Sequence, residues 1–235
     1  MRLIIAIALA GLLAVAGPSS AQMTLTGAGG TKVVASAGNQ TALDGSNTST
    51  GNTVTSGTIT ITTSNTNDLV VLCSENNGAG TPSITDTSGL TWTQIGTHTG
   101  TIDAFFAFSS GPLSSDTITV NYGTTVGFFS LIAFGVSGVP VSSQLDPNGA
   151  LPGTTTSSTP LTLTTSNAND FLFACYSSNN GTGNNQGSGW TLIGSGANFM
   201  MGEFQIVTST QSALSAAVGG GTAIKNGIGS AIKSR

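Results

Sequence analysis

One pattern occurs twice in this chain of 235 residues. The segment "TITITTSNTNDLVVLC" (58–73) aligns without gaps on "PLTLTTSNANDFLFAC" (160–175). Further along each copy, "GLTWTQIGT" matches "GSGWTLIGS", so that Trp92 corresponds to Trp190. Because the two matches occur in the same order and at similar spacing, shared composition does not explain them. The sequence therefore predicts an internal duplication.

The residue pattern inside the repeat predicts strands. In "TITIT" and "LTLTT" apolar residues alternate with Thr, which is typical of a strand with one face in water. "DLVVLC" and "DFLFAC" are apolar at successive positions, as in a central strand covered on both faces. Gly, Asn, Pro and Ser clusters bound each segment, and charged helix formers are scarce. We therefore predict an all-β fold, a two-sheet antiparallel β-sandwich in which halves 58–136 and 154–233 are related by a pseudo-twofold axis.

The N-terminal residues resemble a secretory signal peptide. Arg2 precedes an uncharged apolar run that is shorter than a membrane-spanning helix needs, and small residues precede Gln22. This pattern predicts a signal peptide at 1–21 and a secreted, periplasmic or extracellular location. An uncleaved N-terminal anchor or a buried helix is the alternative interpretation.

The remaining chain is predicted to contain one domain. Residues 22–57 are rich in Gly, Thr, Ser and Asn, which is typical of a loosely ordered lead-in. Within it, only "KVVA" (32–35) has the composition of a strand, and it could form one edge strand. The β-sandwich is predicted at 58–235.

The chain contains five basic and nine acidic side chains, and most of the basic ones lie near the C-terminus. Nucleic-acid binding draws most of its affinity from Lys and Arg, so this composition argues against a nucleic-acid partner. It also argues against attraction to acidic membrane surfaces once a signal peptide is removed.

Cys73 and Cys175 are the only cysteines, and they occupy equivalent positions in the repeat. An even number of cysteines in an exported protein predicts a disulfide between them. The alternative is a pair of buried thiols that act as small apolar side chains. Two cysteines and a single histidine are too few for a typical metal site, so no metal is predicted.

No catalytic constellation is apparent. His98 in "GTHTG" has no partner nucleophile motif and no counterpart in the second copy, which favours an exposed loop histidine. Glu75, Asp103 and Glu203 are the remaining carboxylates that could act on a glycosidic bond, with the last two at roughly equivalent positions. We predict a protein that is not an enzyme and needs no cofactor.

Other conspicuous residues have structural interpretations. Asp68 and Asp170 open equivalent strands after Asn-rich turns and are expected to accept backbone N–H bonds, whereas calcium binding by these turns is the less favoured alternative. Asp146 is expected in a turn. Trp92 and Trp190 are expected to anchor the core rather than to form a sugar-stacking platform.

The order of several segments resembles a known group of domains. "SITDTSGLTWTQIG", "TITVNYG", "LIAFGVSGVPVSSQLDPNG", "LTLTTSNANDFLFACYSS" and "GWTLIG" are similar to a duplicated β-sandwich domain of bacterial exported proteins and phage structural proteins. The chain departs from that group in "FGVSGV", where an acidic–aromatic pair is common, and in its two cysteines. The resemblance implies a jelly-roll-like fold and supplies no catalytic residues.

These observations favour an exported, non-catalytic protein that acts through its surface in adhesion, glycan binding or an extracellular assembly. Its partner would be a cell-surface or extracellular polysaccharide, and it could be a homo-oligomer. The alternatives are a phage or particle structural subunit and an extracellular polysaccharide-acting enzyme. An ice-binding surface built from the Thr-rich strands is a further hypothesis.

Overall fold

The structure is a computed structural model that describes residues 40–76, 80–99, 101–156, 159–178, 185–196, 200–218 and 224–235. The described residues belong to the larger of two units, 38–235. The predicted signal peptide and the "KVVA" segment lie outside them. Within these ranges, no helix has the length and hydropathy to cross a membrane.

The described part of the chain is all-β, as predicted, and every pairing between its strands is antiparallel. The strands are β1 (Ala42–Ile61), β2 (Asp68–Glu75), β3 (Ser83–Asp86), β4 (Thr93–His98), β5 (Ile102–Ser109), β6 (Asp116–Ser137), β7 (Gly153–Thr156), β8 (Leu161–Leu163), β9 (Asp170–Ser178), β10 (Thr191–Gly196), β11 (Met200–Val207), β12 (Leu214–Ala216) and β13 (Ile224–Lys233).

The two repeated apolar segments are central strands. One sheet has the order β1-β6-β2-β5-β4 with β3 also paired to β6, and another has the order β10-β11-β9-β13-β7. β2 and β9 stand in the middle of these orders, and every residue of both strands is buried. This confirms the prediction from their unbroken apolar pattern. A third sheet contains only β8 and β12.

The first strand begins earlier than the sequence predicted. Residues 42–57 were expected in a loose lead-in, but they belong to β1 and pair with β6, beginning with Ala42 opposite Ser137. Much of this segment is exposed or only partly buried, so it shows little of the apolar pattern by which strands are recognised. The first strand, at the edge of its sheet, thus begins before residue 58, where the β-sandwich was predicted to start.

The strand β6 is also long, and it runs without a break from "DTITVNY" through "GFFSLIAFGV". The strand runs through Gly123, whose φ of +69° is a conformation that few other residues adopt. Nearby, the pairing with β1 shifts register between Val54 and Ser56. Such a bulge lets a long strand change direction without ending.

Three apolar clusters surround the central strands. The shared cluster contains side chains from the sheet of β2 and from the sheet of β9, among them Val71 and Phe173. The β2 cluster covers the other face of β2 and combines its Leu72 with Ile118 of β6. The β9 cluster covers the other face of β9 with residues of β8 and β12, including Leu161. Both faces of each central strand are therefore covered.

The two cysteines form a disulfide inside the shared cluster. Cys73 of β2 and Cys175 of β9 are fully buried, and their Cα atoms are 6.5 Å apart. The bond joins residues separated by 102 positions in sequence. It therefore connects the central strand of one sheet directly to the central strand of the other.

Polar contacts recur between equivalent residues of the repeat. The amide of Thr63 donates to the carbonyl of Leu113 (2.9 Å), and the Leu113 amide donates to the Thr63 hydroxyl (3.0 Å). Thr165 and Gln211 exchange the same two bonds, at 3.0 and 2.9 Å. The first pair of bonds attaches the turn before β2 to the segment after β5. The second pair attaches the turn before β9 to the segment after β11.

Loss of the disulfide is expected to destabilise the fold. Replacing both Cys73 and Cys175 with Ala should lower the free energy of unfolding by about 3–5 kcal/mol, because the bond closes a long loop in the unfolded chain. Urea unfolding followed by tryptophan fluorescence measures this change. A reductant should destabilise the unmodified protein and leave the double variant unaffected. Equal stability of the two proteins under oxidising conditions would contradict this prediction.

Candidate functional site

Asp103 lies in a buried polar environment on β5. Its carboxylate accepts hydrogen bonds from the side-chain amides of Asn76 and Gln94, both at 3.2 Å. It shares a sheet face with its cross-strand partner Ser74, whose hydroxyl lies 3.4 Å from that of Tyr122. Burial raises the pKa of Asp103, and hydrogen bonds from side chains including Gln94 oppose part of this increase. The carboxylate is held by its neighbours and is closed off from solvent.

Glu203 on β11 is also fully buried. The amide of Gly187 donates to one of its oxygens at 2.7 Å, and the other oxygen has no partner among the described residues. Burial raises the pKa of Glu203 to about 7, although the Gly187 N–H favours the charged form. Its cross-strand partner is Ala174, so Glu203 faces the β9 cluster.

The structure does not bring the candidate acids together as a catalytic pair. Asp103 lies opposite Ser74, whereas Glu203 lies opposite Ala174, so the two acids are not at equivalent positions of the repeat. Asp103 faces the side of β5 that carries Phe105 of the β2 cluster, and Glu203 faces the β9 cluster. Glu75, at the end of β2, is buried as well. We find no arrangement among these three that could flank a glycosidic bond.

A different pair of acids is in contact. Asp44 of β1 accepts hydrogen bonds from the amides of Ser64 (2.9 Å) and Asn65 (2.8 Å) and from the Asn65 side chain (2.9 Å). Burial alone would raise the pKa of Asp44, but these N–H donors hold it below its ordinary value. The carboxylate therefore stays charged and organises the turn before β2.

Asp68 lies beside Asp44 and is fully buried, and no backbone N–H reaches its carboxyl group. Burial raises the pKa of Asp68 to about 6, and its hydrogen bond to the charged Asp44 adds to the increase. Two adjacent carboxyl groups in such a site cannot both ionise cheaply, and the one without N–H donors, Asp68, is the one whose pKa is raised.

The same arrangement occurs in the second half of the chain. Asp146 accepts bonds from the amides of Ser166 (2.9 Å) and Asn167 (2.7 Å) and from the Asn167 side chain (2.8 Å). Asp170 is fully buried beside it. Burial raises the pKa of Asp170 to about 7, with further contributions from Asp146 and a small opposing effect of Lys233.

The prediction for Asp68 and Asp170 was therefore wrong in its detail. The turn amides donate to Asp44 and Asp146 instead, and these donors favour an anion rather than a calcium ion at each turn. The described residues contain no cluster of metal-ligating side chains. A sequence signal was present, because the dipeptide Leu-Asp at Leu43 and Leu145 recurs at the same spacing as the cysteines.

Both tryptophans pack against apolar clusters, and each lies just before a strand rather than within it. The Trp92 indole donates to Asp86 (2.7 Å) and packs against the β2 cluster. The Trp190 indole donates to the carbonyl of Ser215 (3.0 Å) within the β9 cluster. His98 ends β4 and is partly buried, and burial lowers its pKa. Trp190 is buried, whereas Trp92 is partly buried.

The most regular exposed surface is a sheet of polar, uncharged side chains, which we call the hydroxyl face. It is formed by the start of β6, the end of β1 on one side and β3 on the other. Thr119 lies at its centre, opposite both Thr58 and Thr85. The hydroxyl face consists of Ser56, Thr58, Thr60, Ser83, Thr85, Thr117, Thr119 and Asn121, all exposed or partly exposed.

Charged side chains in these strand segments lie on the opposite face. Asp86 is the cross-strand partner of Ile118, and Asp116 is the partner of Ile61, and both Ile side chains belong to the β2 cluster. In the described part of the second half, the matching sheet of β8 and β12 presents the exposed pair Thr162 and Ser215. Among the described residues, the hydroxyl face thus belongs to the first half.

Comparison with known proteins gives no relative from which to assign a function. No family model matches the chain, and neither does a curated protein or a solved structure.

The buried acids predict that stability falls as the pH rises. The folded-state pKa values of Asp68 and Asp170, about 6 and 7, lie above the ordinary value of 3.8. Their stabilising contribution is complete below the unfolded pKa and is lost as the pH rises through the folded values. Between its unfolded and folded pKa values each carboxyl costs about 1.4 kcal/mol per pH unit, and above the folded value the cost stays constant. Thermal unfolding should therefore occur at a lower temperature at pH 8 than at pH 5.

Amide substitutions distinguish the roles of the two acids in each acid pair. Asp68→Asn and Asp170→Asn keep a hydrogen-bond donor without the charge, so we expect them to flatten the pH dependence and to raise stability at pH 8. Asp44→Asn is the control, because it removes the charged acceptor of three N–H groups and should destabilise the protein over the whole range. A pH profile of Asp68→Asn identical to that of the unmodified protein would refute the raised pKa of Asp68.

Proposed function

We propose that this chain is an exported, non-catalytic binding protein that attaches through its hydroxyl face to an uncharged, hydroxyl-bearing extracellular surface such as a polysaccharide. The observation that carries the proposal is the exposed grid around Thr119, with neighbours on both sides and no charged side chain in it.

We further propose that the architecture is a two-sheet β-sandwich built from two diverged copies of one unit. Four features support it: central strands β2 and β9, the disulfide between them, the matched threonine contacts and the matched acid pairs. A rigid support of this kind suits a protein whose function depends on a fixed surface.

The chemistry of the hydroxyl face suits an uncharged partner. Each Thr offers a hydroxyl that both donates and accepts hydrogen bonds, and β-branching restricts its rotation. Thr119 and Thr58 stand on strands whose opposite faces carry Ile118 and Ile59 of the β2 cluster. Binding to such a preorganised surface costs little side-chain entropy.

The N-terminal sequence and the arrangement of the acids support the remaining parts of the proposal. A signal peptide at 1–21 would deliver the protein outside the cytoplasm, where polysaccharides are the commonest solid surfaces. Asp103 and Glu203 are enclosed on separate sheet faces, which disfavours their joint action on a sugar.

A retention assay on insoluble polysaccharides and whole bacterial cells tests the proposal. Thr119→Lys places a charge in the middle of the face, and we expect it to weaken saturable retention about tenfold or more, because an unpaired charge would be desolvated. The matched control is Thr162→Lys, which changes the equivalent sheet of the second half and should bind normally.

Two outcomes would count against this function. Equal retention of both variants would exclude the hydroxyl face as the binding surface. Absence of retention on every polymer and cell, together with a stable oligomer in solution, would favour the alternative of a structural subunit.

A further inference from the structure

We propose that the surface recognised by the hydroxyl face is crystalline water, so that this protein binds ice. This inference rests on the proposed function, since it names the partner of the same face.

The first argument is the two-dimensional repeat of the face. Cross-strand neighbours such as Thr58, Thr119 and Thr85 lie about 4.8 Å apart, and alternate residues of one strand lie about 6.7 Å apart. Hydroxyl-bearing side chains therefore recur at fixed intervals in two directions. A plane of ice presents water oxygens on a lattice whose repeats are similarly a few ångströms long.

The second argument is the order of the side chains themselves. Thr60 receives hydrogen bonds from the Asn47 side chain at its carbonyl (2.9 Å) and its hydroxyl (3.3 Å), which fixes the corner of the face. β6 is paired on both sides at Thr119. Pairing on both sides fixes the backbone at Thr119, and a hydroxyl held like that of Thr60 can order the adjacent water before any contact with ice, so that little freedom is lost on binding.

The third argument is charge. An ionised side chain holds its own hydration shell, which does not fit an ice lattice, and its desolvation is costly. Asp86 and Asp116, the acids in the strands of the face, accept hydrogen bonds from the Trp92 indole and from Thr87, and they lie on the opposite side from Thr119. The face is therefore neutral, as the surface of ice is.

The fourth argument distinguishes ice from a sugar chain. Sugar sites commonly use aromatic side chains as apolar platforms with a few polar groups around them. The hydroxyl face contains no aromatic residue. Trp92 is partly buried against the β2 cluster and donates to Asp86, and Trp190 is buried in the β9 cluster. A surface of hydroxyl and methyl groups with a single amide, that of Asn121, resembles the lattice of water more closely than it resembles such a platform.

Thermal hysteresis and inhibition of ice recrystallisation test the inference on the purified full chain. The unmodified protein should arrest ice growth in a concentration-dependent manner. Thr119→Lys should reduce the activity about tenfold or more, and Thr162→Lys should retain it. Circular dichroism checks the fold of each variant. Should Thr119→Lys fail to fold, Thr85→Lys on the neighbouring strand provides the same test.

The outcomes separate this inference from the proposed function. Absence of ice activity in the unmodified protein, or equal activity of Thr119→Lys, would overturn ice binding. If retention on a polysaccharide nevertheless depended on Thr119, the proposed function would stand with a sugar as its partner. Ice activity lost in Thr119→Lys and retained in Thr162→Lys would support the inference.

Discussion

The rest of the structure depends on two strands that are apolar on both faces. β2 and β9 bury every residue, so each needs a cover on either side. The shared cluster provides one cover for both, and the disulfide of Cys73 and Cys175 fixes it. The layers that cover the remaining faces of β2 and β9 must each have one face buried against the strand and the other face in water. The hydroxyl face is the wet side of the layer over β2, which explains why strict alternation produces its regular Thr rows.

The acid pairs show how the ends of these central strands are fixed. Asp44 and Asp146 satisfy the amides of the turns that lead into β2 and β9. Each carboxylate is expensive to bury beside a second charge, and burial together with this neighbour raises the pKa of Asp68 to about 6 and that of Asp170 to about 7. The turns therefore gain charged acceptors, while the acids at the starts of the central strands ionise less readily.

The features that the sequence predicted correctly are those that follow from short-range periodicity and spacing. The unbroken apolar runs identified the central strands, and the spacing of the cysteines placed them on equivalent positions. It could not predict that Asp44 rather than Asp68 accepts the turn amides, because 21 residues separate Asn65 from its acceptor. The start of β1 was missed because its partner β6 supplies the large apolar side chains there. The positions of Asp103 and Glu203 depend on strand register. Sequence spacing matched these two acids to each other, although their positions in the paired strands differ by two residues.

A comparison of the two proposed copies separates support from function. Both copies keep the central strand, the acid pair, the threonine contact and the cysteine, which are the parts that hold the core together. The two copies differ in the layer that covers the central strand. Among the described residues, the layer over β9 consists of the three-residue strands β8 and β12, whereas the layer over β2 is longer and includes a third strand, β3. This third strand places Thr119 between Thr58 and Thr85, so the rows of the hydroxyl face arise from the longer cover.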